Sequence, residues 1–182
     1  MRLIWSAAAA AALALPSLAD ARPITFGAGL GRTQSKANAD GEASDTLQVF
    51  GRIGFTSRLS AQLEIQRTDD PGLDIRTGTG LLVVDLGSHP HFVPVLVAGF
   101  GFDRASTDWY SATGTHMEGG LGLEYRADNG FTIGADVRIG GRSISEDYVA
   151  YPAVDGGIAL YAPSGLAEGE YRSMRLAAGI RF

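Results

Sequence analysis

In a chain with three histidines and no cysteine, the histidines are where side-chain chemistry would begin. His116 and Glu118 stand two residues apart, which places both on one face of an extended strand. Ser111 precedes them in a polar connection, so hydroxyl, imidazole and carboxylate, the parts of a nucleophile, base and orienting acid, occur within eight residues. Their spacing does not assemble them, because no serine is paired by strand spacing with His116 and no nucleophile signature surrounds Ser111. The residues fit better as members of an internal hydrogen-bond network. His89 and His91 flank Pro90 in a turn, but with no carboxylates to complete a ligand set no metal is expected. Gly27, Gly29 and Gly31 superficially match a phosphate loop, yet they alternate within a strand and no helix follows, so no nucleotide or other cofactor is implied.

The elements that would position these groups are strands. From Pro23 onward polarity alternates with period two in segments of about ten residues. Eight such segments are expected, over about 24–33, 46–56, 59–66, 73–86, 91–103, 115–126, 131–142 and 170–182. The third is the cleanest, with Leu59, Ala61, Leu63 and Ile65 set against Ser60, Gln62, Glu64 and Gln66. In the fourth, Leu81 and Val83 compete with Leu82, Val84 and Leu86 for one face, and a bulge near Gly78 or Gly80 would reconcile them. The fifth is apolar on both faces, with Val93, Val95 and Val97 opposing Phe92, Leu96, Phe100 and Phe102.

Connections sort the strands into a meander. Ser57-Arg58, 87–90 and 127–130 are tight turn signals, the last with an Asn-Gly pair. The connections between them, 34–45, 104–114 and 143–169, are long and polar, with Asp69 to Gly72 a short exception. Short turns thus gather at one end and long loops at the other, the arrangement of transmembrane barrels.

The 182 residues carry a net charge of -5, with basic residues scattered singly, and this excludes the clustered basic surface that nucleic acid requires. At the N-terminus, Arg2, the apolar run from Leu3 to Leu15, the break at Pro16 and the small residues Ala19 and Ala21 predict a signal peptide over 1–21. The run is too short to span a bilayer as a helix, which takes about 20 residues. The remainder, 22–182, is read as one domain.

Two features separate a membrane barrel from a soluble one. Arg52, Glu64, Glu118, Glu124, Asp136, Arg138 and Arg175 fall on the polar face at mid-strand, where they would pair inside a narrow lumen. Phe55, Phe92, Tyr125, Phe131 and Phe182 all fall on the apolar face at the short-turn end, as an interfacial girdle would. The expected fold is therefore all-β, an eight-stranded antiparallel up-and-down transmembrane β-barrel.

The stretch from Met174 to Phe182, alternating and ending in phenylalanine, resembles the last-strand signal by which outer-membrane barrels are recognised by their assembly machinery. With the eight segments, it makes the chain similar to the small OmpA/OmpX-like outer-membrane β-barrel group. The resemblance implies location in the outer membrane, contact with its lipid, and a structural or surface-interaction role. The resemblance covers the barrel alone, and no periplasmic peptidoglycan-binding domain is expected, since the chain stops at Phe182. Trp109, Tyr110, Tyr148, Tyr151 and Tyr161 in the long loops are then the candidate contact residues for an extracellular ligand whose identity is open. Eight strands leave an interior filled by side chains, so no diffusion pore is expected. Two alternatives remain: a membrane-embedded lipid A-modifying hydrolase using His116, Glu118 and Ser111, and a small soluble periplasmic binding barrel.

Overall fold

The structure, a computed structural model, describes residues 23–35, 43–70, 73–106, 111–145, 149–152, 158–161 and 169–182. The strands are β1 (Ile24–Ser35), β2 (Ala43–Gly54), β3 (Leu59–Asp70), β4 (Leu73–Asp85), β5 (Phe92–Ser106), β6 (Ser111–Arg126), β7 (Phe131–Ser145), β8 (Val149–Pro152), β9 (Ile158–Tyr161) and β10 (Gly169–Arg181). Eight of them close into a barrel in the order β1-β10-β7-β6-β5-β4-β3-β2, and β8 and β9 pair separately as a hairpin. Closure joins the two ends of the chain, Phe182 N–H donating to Ile24 O at 2.8 Å. It leaves no open edge, which is the condition for a sheet to survive in hydrocarbon.

Each pairing runs antiparallel at one constant register. The bulge expected near Gly78 or Gly80 is absent: β4 stays in step with both neighbours, Gly78 facing Ile65 on one side and Phe102 on the other. The conflict in the sequence arises because both faces of β4 and β5 are apolar in fact. Leu81, Val83, Val93, Val95 and Val97 form a buried cluster inside the lumen, while Leu82 and Leu96 face out.

The short turns are held as their sequences require. Thr56 Oγ1 accepts from the N–H groups of Arg58 and Leu59, and His89 Nδ1 accepts from those of His91 and Phe92. Gly130 has φ +85°, a conformation that favours glycine, and it ends the Asn-Gly turn. At the other end the strands run further than expected. Ser106 pairs with Ser111, so β5 and β6 consume most of the loop assigned to 104–114, and the loop assigned to 143–169 contains the β8–β9 hairpin. Polar side chains had masked those rungs. The extensions carry the sheet past the apolar band, where an outward polar residue is no longer penalised.

Candidate functional site in the barrel lumen

Sidedness settles what kind of barrel this is. Leu63 is 71% exposed and Val137 51%, whereas their sequence neighbours Glu64 and Arg138 are 2% and 1% exposed. A soluble barrel would show the reverse. The outward face carries Phe26, Leu30, Leu63, Ile65, Met117 and Leu176 in exposed positions, and the mid-strand charges Glu64, Glu118, Arg138 and Arg175 lie within. Among the described residues no helix is long and apolar enough to cross a membrane, and the apolar outward face belongs to the barrel strands. Their 12 to 16 residues exceed the roughly 9–11 that a tilted strand needs.

The lumen holds a continuous column of polar side chains in three levels. At its centre Arg138 reaches Glu64 with both terminal nitrogens, Nη1 to Oε2 at 3.0 Å and Nη2 to Oε1 at 2.9 Å. Arg138 also donates to Glu118 at 2.6 Å and to Asp136 at 2.7 Å. Arg175 adds contacts to Glu64 at 2.6 Å and Glu118 at 3.2 Å, and Gln62 and Gln66 donate to the remaining lone pairs of Glu64. Each buried charge thus meets several opposite charges or donors, the condition under which it is tolerated in so dry a setting.

Toward the short turns, Arg52 pairs with Glu124 at 2.6 Å, and Arg126 bridges Glu124 and Asp85. Arg52 also donates to Gln62, which links this level to the centre. Beside these groups is a cavity of about 520 Å³, lined in part by Phe50, Arg52, Val97, Glu124 and Arg138. Toward the long loops, His116 Nδ1 donates to Asp103 Oδ2 at 2.9 Å, and Nε2 lies 3.1 Å from Thr79 Oγ1. Asp103 accepts as well from Thr77 at 2.7 Å and Arg142 at 2.9 Å. Tyr171 joins this level to the centre: its hydroxyl donates to Glu118 at 2.8 Å and Arg142 stacks over its ring.

The structure therefore brings together Arg52, Glu64, Glu118, Glu124, Asp136, Arg138 and Arg175 through shared partners, but separates the hydrolase trio. Ser111 is an exposed residue at the start of β6, not in a loop, and its odd spacing turns it away from buried His116. Glu118 serves Arg138, Arg175 and Tyr171; the carboxylate on His116 is Asp103. Asp103, Thr77, Thr79 and Tyr171 were not anticipated as site residues. The available signal was parity, since each lies on the inward face of its strand. Of the girdle, Phe55, Phe92, Tyr125, Phe131 and Phe182 all face outward at the short-turn end, Phe92 and Tyr125 in contact at 5.1 Å between ring centroids. Trp109, Tyr110 and Tyr148 lie outside the described residues, as does 1–21; Tyr151 and Tyr161 fall in β8 and β9, where only the backbone is described.

A closed eight-stranded barrel with a greasy exterior and an enclosed polar column is a transmembrane β-barrel. Residues 5–157 match the outer membrane protein beta-barrel domain family, and the chain belongs to it. It is a small integral barrel of the outer membrane. No curated protein matches it in sequence. In fold it is similar to neisserial surface protein A, with TM-score 0.57 and 15% identity, covering 88% of this chain and 95% of that one. It is equally similar to the N-terminal β-barrel domain of Pseudomonas aeruginosa OprF, with TM-score 0.57 and 15% identity, covering 87% and 97%.

Proposed function

We propose that this protein is a closed surface barrel, targeted by a signal peptide over 1–21, whose scaffold holds the long outer loops as an interaction surface. One observation carries the reading. Arg138–Glu64 and Arg52–Glu124 each join strands on opposite sides of the ring, β7 to β3 and β2 to β6, so that two ion pairs cross the lumen. A channel needs mobile water along its axis, and bridged arginines occupy that path. The loops bearing Trp109, Tyr110, Tyr148, Tyr151 and Tyr161 then become the working surface, since aromatic side chains give contact area at low entropic cost. Barrel assembly through the strand ending in Phe182 is part of the same proposal.

The test is twofold. Purified protein in planar bilayers is expected to show no steady conductance, and a stable open level in the unmodified protein would refute the closed lumen. Deleting 107–110 or 153–157 is expected to abolish binding of intact cells to the surface they recognise while leaving folded barrel in the membrane. The hydrolase alternative centres on His116, whose two ring nitrogens are engaged by Asp103 and Thr79. Labelled lipid A left unmodified by purified protein supports the non-enzymatic reading, and turnover that His116→Ala removes from a folded barrel would replace it.

A further inference from the structure

Most barrel glycines face the lumen, where neighbouring atoms occupy the space a Cβ would fill: Phe50 at Gly27, His116 at Gly101, Tyr171 at Gly140. Gly78 and Gly80 do not follow this pattern. They face outward from β4, with open space beyond Gly78 and nothing nearer than 3.8 Å at Gly80. Glycine weakens a strand and often marks a close approach by another molecule. The register sets Ile65 and Leu63 directly beside these positions on β3, and Phe102 and Phe100 on β5. All four are exposed. The outcome is a shallow apolar groove on the lipid side, floored by β4 backbone and walled by side chains about two strand spacings apart, roughly 9.6 Å. Gly141 also faces open space, but Glu170 stands directly opposite it on β10, and Ser143 and Thr115 continue that row without a basic residue.

The head of the groove is cationic. Arg76 follows Gly78 by one rung, and Arg67 and Arg104 stand directly opposite it on β3 and β5. Like charges facing each other across strands repel. Asp74 takes both Arg67 and Arg76, each at 3.3 Å with the guanidinium side chain more than half exposed, and Asp69 faces Asp74 on the same outer rung. Asp74 lies one rung beyond Arg76, on the side away from Gly78 and Gly80, so the edge of the row that meets the groove is formed by the arginines. Guanidinium groups match phosphate with paired N–H donors. The row lies at the long-loop end, which in transmembrane barrels is the outer leaflet.

We propose that the outward face of β3, β4 and β5 binds one phosphorylated glycolipid of the lipid A class, an acyl chain lying along Gly78 and Gly80 and phosphate on Arg67, Arg76 and Arg104. The row spans two strand spacings, wider than one phosphodiester covers, and this favours a headgroup with two phosphates over a glycerophospholipid. The site is independent of whatever the loops contact.

The full-length barrel is purified in detergent and titrated with bisphosphorylated lipid A, its dephosphorylated form and phosphatidylglycerol, and bound lipid is counted by native mass spectrometry. One lipid A per barrel is expected, retained about tenfold better than either competitor. R76Q/R104Q is expected to remove that preference; both side chains are exposed and outside the lumen, so the fold persists, as heat-modifiable gel mobility checks. G78L/G80L fills the groove without touching charge and is expected to lower lipid A retention about tenfold. Equal retention of the three lipids by the unmodified barrel, or an unchanged preference in R76Q/R104Q, overturns the proposal even though the barrel still inserts in membranes. Unchanged retention in folded G78L/G80L overturns the groove. Should that variant fail to fold, R76Q/R104Q decides alone.

Discussion

Arg138 and Glu64 are 74 residues apart in sequence and on strands at opposite sides of the ring, yet guanidinium and carboxylate meet twice, at 2.9 and 3.0 Å, in the middle of the lumen. β3 and β7 share no backbone pairing. The two strands are linked there only through side chains, with Glu118 and Arg175 joining the same cluster. Energy follows from burial. Two charges in a dry site cost several kcal/mol each unless paired, so the pair is worth most in the loss caused by removing one member.

Arg138→Ala leaves Glu64, Glu118 and Asp136 facing one another with only Arg175 to balance them. Stability is expected to fall by about 3–5 kcal/mol, read from the urea midpoint of the barrel in lipid vesicles. Replacing Arg138 by Met and Glu64 by Leu together should recover most of that loss, since no charge is then stranded.

Leu63 points at lipid from the middle of the apolar band of β3. Leu63→Arg is expected to destabilise the folded state in bilayers by about 2–4 kcal/mol. A soluble barrel would tolerate the same change at so exposed a position, and a shift under about 0.5 kcal/mol in vesicles would contradict the membrane-facing assignment.

Two glycines of opposite facing should respond oppositely to one methyl group. At Gly101 a Cβ would overlap the His116 ring and the carbonyl of Gly78, and Gly101→Ala is expected to lose about 1–3 kcal/mol. At Gly78 it would meet nothing, and Gly78→Ala is expected to be neutral or slightly stabilising in lipid-free detergent. Thermal gel-shift midpoints compare the two directly.

Phe182 is 77% exposed and is held by backbone hydrogen bonds to Ile24 that do not involve its ring. Phe182→Ala is expected to leave unfolding of the purified barrel within about 0.5 kcal/mol while reducing its yield in the outer membrane of cells. Equal yields would remove the ring from the assembly signal.

Local alternation was enough to read the eight barrel strands, because a residue's face depends on its parity and not on its neighbours in space. That same rule left β4 and β5 ambiguous. Leu81, Val83, Val93, Val95 and Val97 are apolar on the inward face, where packing against one another, not contact with a membrane, selects them. Tyr171 is a further case, an aromatic turned inward because its hydroxyl completes Glu118 and its ring carries Arg142.

By itself the amino-acid sequence determined the strands, their up-and-down order, the end with short turns and which side chains share a face, since period-two polarity and turn chemistry act over a few residues. Only the closed tertiary structure decided who meets whom. It paired Arg138 with Glu64, gave His116 to Asp103 instead of Glu118, turned Ser111 away, and aligned Arg67, Arg76 and Arg104 in one row. Those relationships depend on register and on ring position, which distant strands set jointly through hydrogen bonding and closure, and no local stretch of the chain encodes either.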